Sequence, residues 1–128
     1  MRMEAPARRT DELPVTQKDL LLLLGFRHIQ TGNMSEAIAI FEVLAVLSPN
    51  EVKITQTLVY AYLKIGNLDS ALTELDKLDD QANIDPLTWL LRGQALSRIG
   101  RTAESAKAMR MYIRLRNTRT SKESTLWK

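Results

Sequence analysis

All five glycines of this chain fall on one lattice. Gly32, Gly66 and Gly100 follow one another at steps of 34 residues, and Gly25 and Gly93 stand two such steps apart. Ala37, Ala71 and Ser105 keep the same step. A fixed period of this length marks an internal repeat, in which each unit hides its apolar face only against its neighbours. The content of one unit is legible between Leu24 and Pro49, LGFRHIQTGNMSEAIAIFEVLAVLSP. Apolar residues recur at helical spacing from Leu20 to Ile29 and again from Ala37 to Leu47. Gly32 breaks the pattern between them, and Pro49 stops the second segment. The repeating element is therefore a helix, a tight turn and a helix.

Along the chain, the pattern predicts six helices. Thr16 with Asp19 resembles a capping box, so the first helix is expected from about Gln17 to Thr31. Asn33, with Glu36 three residues on, is expected to cap a second helix ending near Leu47. Asn50 is expected to open a third over 51–65 and Asn67 a fourth over 68–79. The polar stretch Asp79–Asn83 follows as a connector. Asp85-Pro86 is a strong helix start, an acidic cap before proline at the first helical position, for a fifth helix ending near Ile99. A weaker start at Arg101-Thr102 opens a sixth, expected to end near Arg116. Residues 1–15, with Pro6 and Pro14 and little periodicity, are expected as a mobile arm, and residues 120–128 as a basic tail.

Three units result, 18–51, 52–85 and 86–119, with small residues at two places that let paired helices approach: Gly25, Gly93, Ala37, Ala71 and Ser105. The period and this register resemble the tetratricopeptide repeat, and the resemblance implies an all-α solenoid of three helix-turn-helix units. Departures are Val59 at a place otherwise small, Arg92 where an apolar residue is wanted, and Asn83 and Asn117 in the place of Pro49.

Catalysis finds no support. There is no cysteine, which removes disulfides and thiolate metal sites and fits a reducing compartment. His28 is the one histidine; without ligand partners at metal-binding spacing it is expected to be packed and hydrogen-bonded. The glycines form no phosphate loop. No cofactor, no metal and no enzymatic activity are expected. The apolar run Leu20 to Leu24, like every other in the chain, is far short of a membrane span, and the N-terminal segment lacks the apolar core of a secretory signal, so a cytoplasmic protein is expected.

Charge is unevenly placed. Residues 1–91 hold 8 Lys/Arg against 13 Asp/Glu, and residues 92–128 hold 10 against 2. The last third is a basic end on an acidic body. Arg98, Arg101, Lys107, Arg110, Arg114, Arg116, Arg119 and Lys122 could form a nucleic-acid footprint. Tyr112 is the single aromatic among them, too few for a row of base-stacking platforms, and the acidic body opposes phosphate, so an acidic protein partner or a solvated face is the better reading.

The tetratricopeptide resemblance implies a concave groove lined by the first helix of each pair. Carried onto this chain, the lining is Asp19, Leu22, Phe26 and Ile29; Lys53, Gln56, Tyr60 and Leu63; and Leu87, Leu90, Gln94 and Ser97. Leu22 and Phe26 stand where carboxylate-clamping members carry Lys and Asn, so an apolar segment is the expected ligand, bound by Leu22, Phe26, Ile29, Tyr60, Leu63, Leu87 and Leu90. The leucines from Leu20 to Leu24 surround their helix. Such a helix is normally covered all round, either by the N-terminal arm or by another chain meeting Leu20 and Leu23.

Within this class, the leucine-rich start, the Gly25, Gln30, Gly32 spacing and the Val46-Leu47-Ser48-Pro49-Asn50 stop resemble the YscY (SctY) family of small type III secretion chaperones. So do Trp89, Leu91, Gln94, Gly100, Ala106 and Tyr112 in the third unit. The match spans roughly residues 16–116. It implies a small exported partner of the YscX (SctX) type, bound in the apolar groove, and contact of the pair with the export gate (SctV type). Chaperoning of needle or translocator subunits is the alternative implied by the wider class.

Overall fold

The computed structural model describes the backbone of residues 4–78 and 85–127, and the side chains of residues 17–78 and 85–118. Among the described residues there are six helices: α1 (Glu4–Gln30), α2 (Met34–Leu47), α3 (Val52–Ile65), α4 (Leu68–Asp76), α5 (Pro86–Ile99) and α6 (Thr102–Trp127). No strand occurs among the described residues. Consecutive helices pack in antiparallel pairs, and α3 also touches α5, so the units stack as a solenoid.

The glycine lattice sets the turns. Gly32, Gly66 and Gly100 have φ of 83°, 81° and 97°, the left-handed region that side chains with a Cβ avoid. Each closes its helix in the same way. The amide after the glycine donates to a carbonyl five residues back: Asn33 to His28 (2.8 Å), Asn67 to Tyr62 (2.9 Å) and Arg101 to Leu96 (2.9 Å). This arrangement satisfies helix carbonyls that otherwise lack partners. Gly25 and Gly93 serve differently. They lie inside helices, where a Cβ at Gly25 would come 2.6 Å from Phe41 Cε2 and one at Gly93 would meet the Met109 thioether. These are the close approaches anticipated for α1–α2 and α5–α6. Ser105 adds a bond, its hydroxyl donating to the Gly93 carbonyl at 2.8 Å.

The core runs along the solenoid axis through Phe41, Leu44, Ile54, Leu58, Val59 and Leu75, all fully buried. Leu21, Leu22 and Ile29 of α1 pack against it from one end. Val59, the large residue at an otherwise small place, is buried without residue.

Helix ends depart from expectation in several places. Helix α1 starts at Glu4 rather than near Gln17, so the Thr16–Asp19 pair does not open it, and the expected arm is helical backbone from Glu4 onward. Ala5, Ala7, Arg8, Arg9, Glu12 and Leu13 favour helix, and Pro6 falls in the first turn, where a missing N–H costs nothing. Helix α6 likewise continues past Arg116 to Trp127, through what was expected as a tail. Asn33 makes no side-chain cap bond and donates instead to Thr31 Oγ1 (3.4 Å). Glu51, not Asn50, precedes α3, also without a cap bond; its carboxylate pairs with Lys18 of α1. Asn67 and Asp85 cap as anticipated, accepting from the amides of Ser70 (3.3 Å) and Leu87 (3.0 Å). Helix α4 stops at Asp76, short of 79, and the connector Asp79–Asn83 lies outside the described residues.

The early stop of α4 accounts for Arg92. Its guanidinium donates to Asp76 Oδ1 (3.0 Å) and to the Leu75 carbonyl (3.1 Å), and lies 5.7 Å from the Trp89 ring centroid. A cation at a helix C-terminus meets both orphan carbonyls and the negative dipole end. Arg98 does the same for α3, donating to the Leu63 carbonyl at 2.6 Å. Unit 3 is therefore held to unit 2 partly by two arginines reaching back to helix ends.

Candidate protein-binding groove

The first helices of the three units, α1, α3 and α5, line one side of the stack. Three large apolar side chains, one from each helix, stand on it exposed: Phe26 (44%), Tyr60 (39%) and Leu87 (41%). They border a single depression of about 500 Å³, lined also by Ile29, Lys53, Gln56, Thr57 and Leu91. A second depression of about 600 Å³ adjoins it through Tyr60 and is lined by Leu63, Lys64, Gly93, Gln94, Ser97, Arg98, Ser105 and Met109. The two form a channel along the concave side, with Tyr60 at its midpoint.

Of the residues predicted for the groove, Phe26, Ile29, Tyr60 and Leu87 come together in the first depression. Leu63 lines the second but is itself buried, as its place in the core cluster requires. Leu22 and Leu90 are half-buried and line neither depression. Phe26 is also less detached from the core than its place in the groove suggests. Its ring stands edge-on to Phe41, centroids 5.2 Å apart and planes at 69°, a favoured aromatic geometry.

Gln56 was expected among the residues lining the groove. Its side chain is buried and its amide donates to Asp85 Oδ2 and Thr88 Oγ1, both at 3.1 Å. Those bonds tie unit 2 to unit 3, so Gln56 shapes the wall without offering a hydrogen bond to a ligand. Thr88 is the buried polar residue that signals this, standing where Ile54 stands one unit earlier.

The charge of the channel is positive. Lys53 lines the first depression, Lys64 and Arg98 the second. Lys64 sits 5.6 Å from the Tyr60 ring centroid, which keeps a cation beside the central aromatic. On the opposite side, α2 meets α3 through Tyr62, whose hydroxyl donates to Glu42 Oε2 at 2.5 Å. Burial first, and then the Glu42 carboxylate, hold that hydroxyl well above the usual tyrosine range.

His28 is half-buried, while Tyr62 and Leu96 at its places in the other units are buried. Its main-chain carbonyl accepts from the Asn33 amide and from Thr31 Oγ1 (3.2 Å). Among the described residues no group of three His, Cys, Asp or Glu side chains could hold a metal ion. No described helix is long and apolar enough to cross a membrane. Leu20 and Leu23, expected to be covered by the N-terminal arm or by another chain, are exposed.

Comparison with known proteins gives a consistent picture. The tetratricopeptide repeat family pattern matches residues 28–95. Among solved structures, the type III secretion translocator chaperone SycD of Yersinia enterocolitica is 20% identical, with a TM-score of 0.75 over 87% of this chain and 85% of SycD. The second tetratricopeptide domain of Spaghetti (RPAP3), bound to the HSP90 peptide SRMEEVD, is 18% identical, with a TM-score of 0.68 over 86% of this chain and 98% of that domain. MamA from Desulfovibrio magneticus RS-1 is 22% identical, with a TM-score of 0.70 over 77% of this chain; the match spans 55% of the MamA chain. No curated protein sequence matches this chain. At these identities the likeness concerns the fold.

Proposed function

The chain belongs to the tetratricopeptide repeat family, and from that premise we propose that it is a cytoplasmic chaperone of a bacterial type III secretion system, acting by binding and without catalysis. It holds a small exported partner of the YscX (SctX) type in its concave groove and hands it to the export gate. The observation that carries the reading is the row of Phe26, Tyr60 and Leu87, exposed side by side from three different helices around one depression. Large apolar and aromatic groups left open on a rigid concave surface mark an interface, and aromatic anchors dominate such interfaces. An exported segment that aggregates when free would bury its own apolar residues there. Lys53, Lys64 and Arg98 favour acidic residues flanking that segment. The likeness to SycD supports a secretion chaperone, and the leucine-rich opening with its Gly25, Gln30, Gly32 spacing favours the YscY type.

The SycD likeness covers most of both chains and so also favours a second reading, in which the ligand is a translocator subunit. Affinity purification of the full chain from its native host, followed by mass spectrometry, separates the two. Recovery of a small exported protein of the YscX type supports the proposal. Recovery of translocator or needle subunits without it overturns the proposal in favour of the second reading.

A further inference from the structure

The 34-residue register brings a second surface into view, at the outer end of unit 1. Leu20 and Leu24 occupy the places of Ile54 and Leu58 in unit 2. Where α2 packs on α3, Ile54 and Leu58 are 2% and 1% exposed. In unit 3 the corresponding Thr88, on the helix that α4 packs against, is likewise fully buried. In α1, the first described helix, Leu20 is 58% and Leu24 43% exposed. Beside them lies a shallow depression of about 310 Å³, lined by Leu20, Leu23, Leu24, Phe26, Arg27 and Gln30. The face is thus built like the receiving side of an inter-unit seam, and the structure shows twice what such a side receives: an amphipathic helix.

Each seam also carries a polar tie from one place on the incoming helix. In α2 that place is Glu42, which accepts from Tyr62; in α4 it is Asp76, which accepts from Arg92. Both are acids, and both meet a donor on the receiving helix. On α1 the residues that follow Leu24 are Arg27 and His28, the latter in the place of Tyr62.

We infer that the Leu20–Leu24 face of α1 docks an amphipathic helix of a partner protein, one with an apolar stripe and an acidic residue in the place of Glu42, which meets Arg27 and His28. Among the described residues no helix of the chain covers this face. Residues 4–16 continue α1 as helix and do not double back over it. A second copy is a poor match as well. Its free end helix, α6, carries Arg110 in the place of Glu42 and Asp76, with Lys107 and Arg114 nearby on the same helix, and its segment Leu20–Thr31 holds no acid. The sign of the charge selects against self-stacking and for an acidic amphipathic helix. This surface shares only Phe26 with the groove depression, so Tyr60 and Leu87 report on the groove and Leu20 and Leu24 on this face.

The test uses the full chain and a labelled peptide of residues 33–50, the α2 sequence with Glu42, as a stand-in for an incoming helix. Fluorescence anisotropy is expected to show saturable binding. Leu24→Asp or Leu20→Asp in the protein should weaken it about tenfold or more, a loss of about 1.4 kcal/mol, with helical content unchanged by circular dichroism because both positions are exposed. Glu42→Arg in the peptide should weaken it comparably, and Tyr60→Asp in the protein should leave it unaltered. Absence of saturable binding, or binding indifferent to Leu24→Asp, overturns the inference. So does loss of binding on Tyr60→Asp, which would move the peptide to the groove. Sedimentation of the protein alone as a dimer that Leu20→Asp dissociates would make a second copy the occupant and overturn it too.

Discussion

Helices α1 and α3 are the same element one repeat apart, yet their surroundings differ. In α3, Ile54, Thr55, Gln56, Leu58, Val59, Ala61, Tyr62 and Leu63 are all buried. In the matching stretch of α1 only Gly25 is fully buried, although Leu20, Leu21, Leu22 and Leu24 are no less apolar. Neighbours, not side-chain character, decide burial in a solenoid. The comparison also separates two kinds of exposure. Phe26 and Tyr60 share one register place and are open in both helices, because no repeat fills the concave side. Leu20 and Leu24 are open in α1, where among the described residues no helix packs as α2 does on α3 and α4 on α5. The first kind belongs to the groove and the second to the end of the stack.

Stability measurements can break this comparison. Leu58→Ala empties a fully buried site and should cost about 2–5 kcal/mol in chemical denaturation, whereas Leu24→Ala, at the same register place, should cost about 1 kcal/mol or less. Equal losses would mean that α1 is covered in solution. The two kinds of glycine should differ as well. Gly25→Val drives a side chain into Phe41 and should cost about 1–3 kcal/mol. Gly32→Val meets no atom within 4 Å and should lose only the backbone term, about 1 kcal/mol. A Gly32 variant that melts like the parent would remove the turn from the account.

A smaller effect sharpens the seam between α2 and α3. The Tyr62 hydroxyl holds its proton above the usual tyrosine value of about 10. The folded state therefore keeps a proton that the unfolded chain loses. This contribution to stability is complete below pH 10 and declines as pH rises beyond it. The parent protein should lose stability above that pH more steeply than Tyr62→Phe. Identical slopes would mean that Glu42 and Tyr62 do not form the seam described here.

The register carried most of the fold, because glycines at positive φ and small residues at helix crossings are requirements of the backbone. It located five of the six helix starts to within a residue or two, and it placed Phe26, Ile29, Tyr60 and Leu87 around one depression. What it missed depends on neighbours or on helix ends. The proline residues Pro6 and Pro14 suggested an arm, yet the backbone of α1 is helical from Glu4 through both. Arg92 read as a departure from an apolar place, because nothing local reveals that α4 ends at Asp76 and leaves the Leu75 carbonyl open. Gln56 read as an open lining residue because its partners, Asp85 and Thr88, lie about 30 residues on, at the start of α5. Leu63 was taken for a surface residue on a family register, and the second depression it lines narrows around a side chain the core already holds.

The central claim is that the concave groove, rather than the basic end, recognises the partner. It is tested by co-purifying the native partner with two variants of the full chain. One carries Tyr60→Asp and Leu87→Asp, both exposed in the groove. The other carries Arg114→Glu and Arg116→Glu on α6, both exposed. The groove variant should keep its helical content and lose the partner, and the α6 variant should retain it. A groove variant that holds the partner while the α6 variant loses it would contradict the account and make α6 the recognition element.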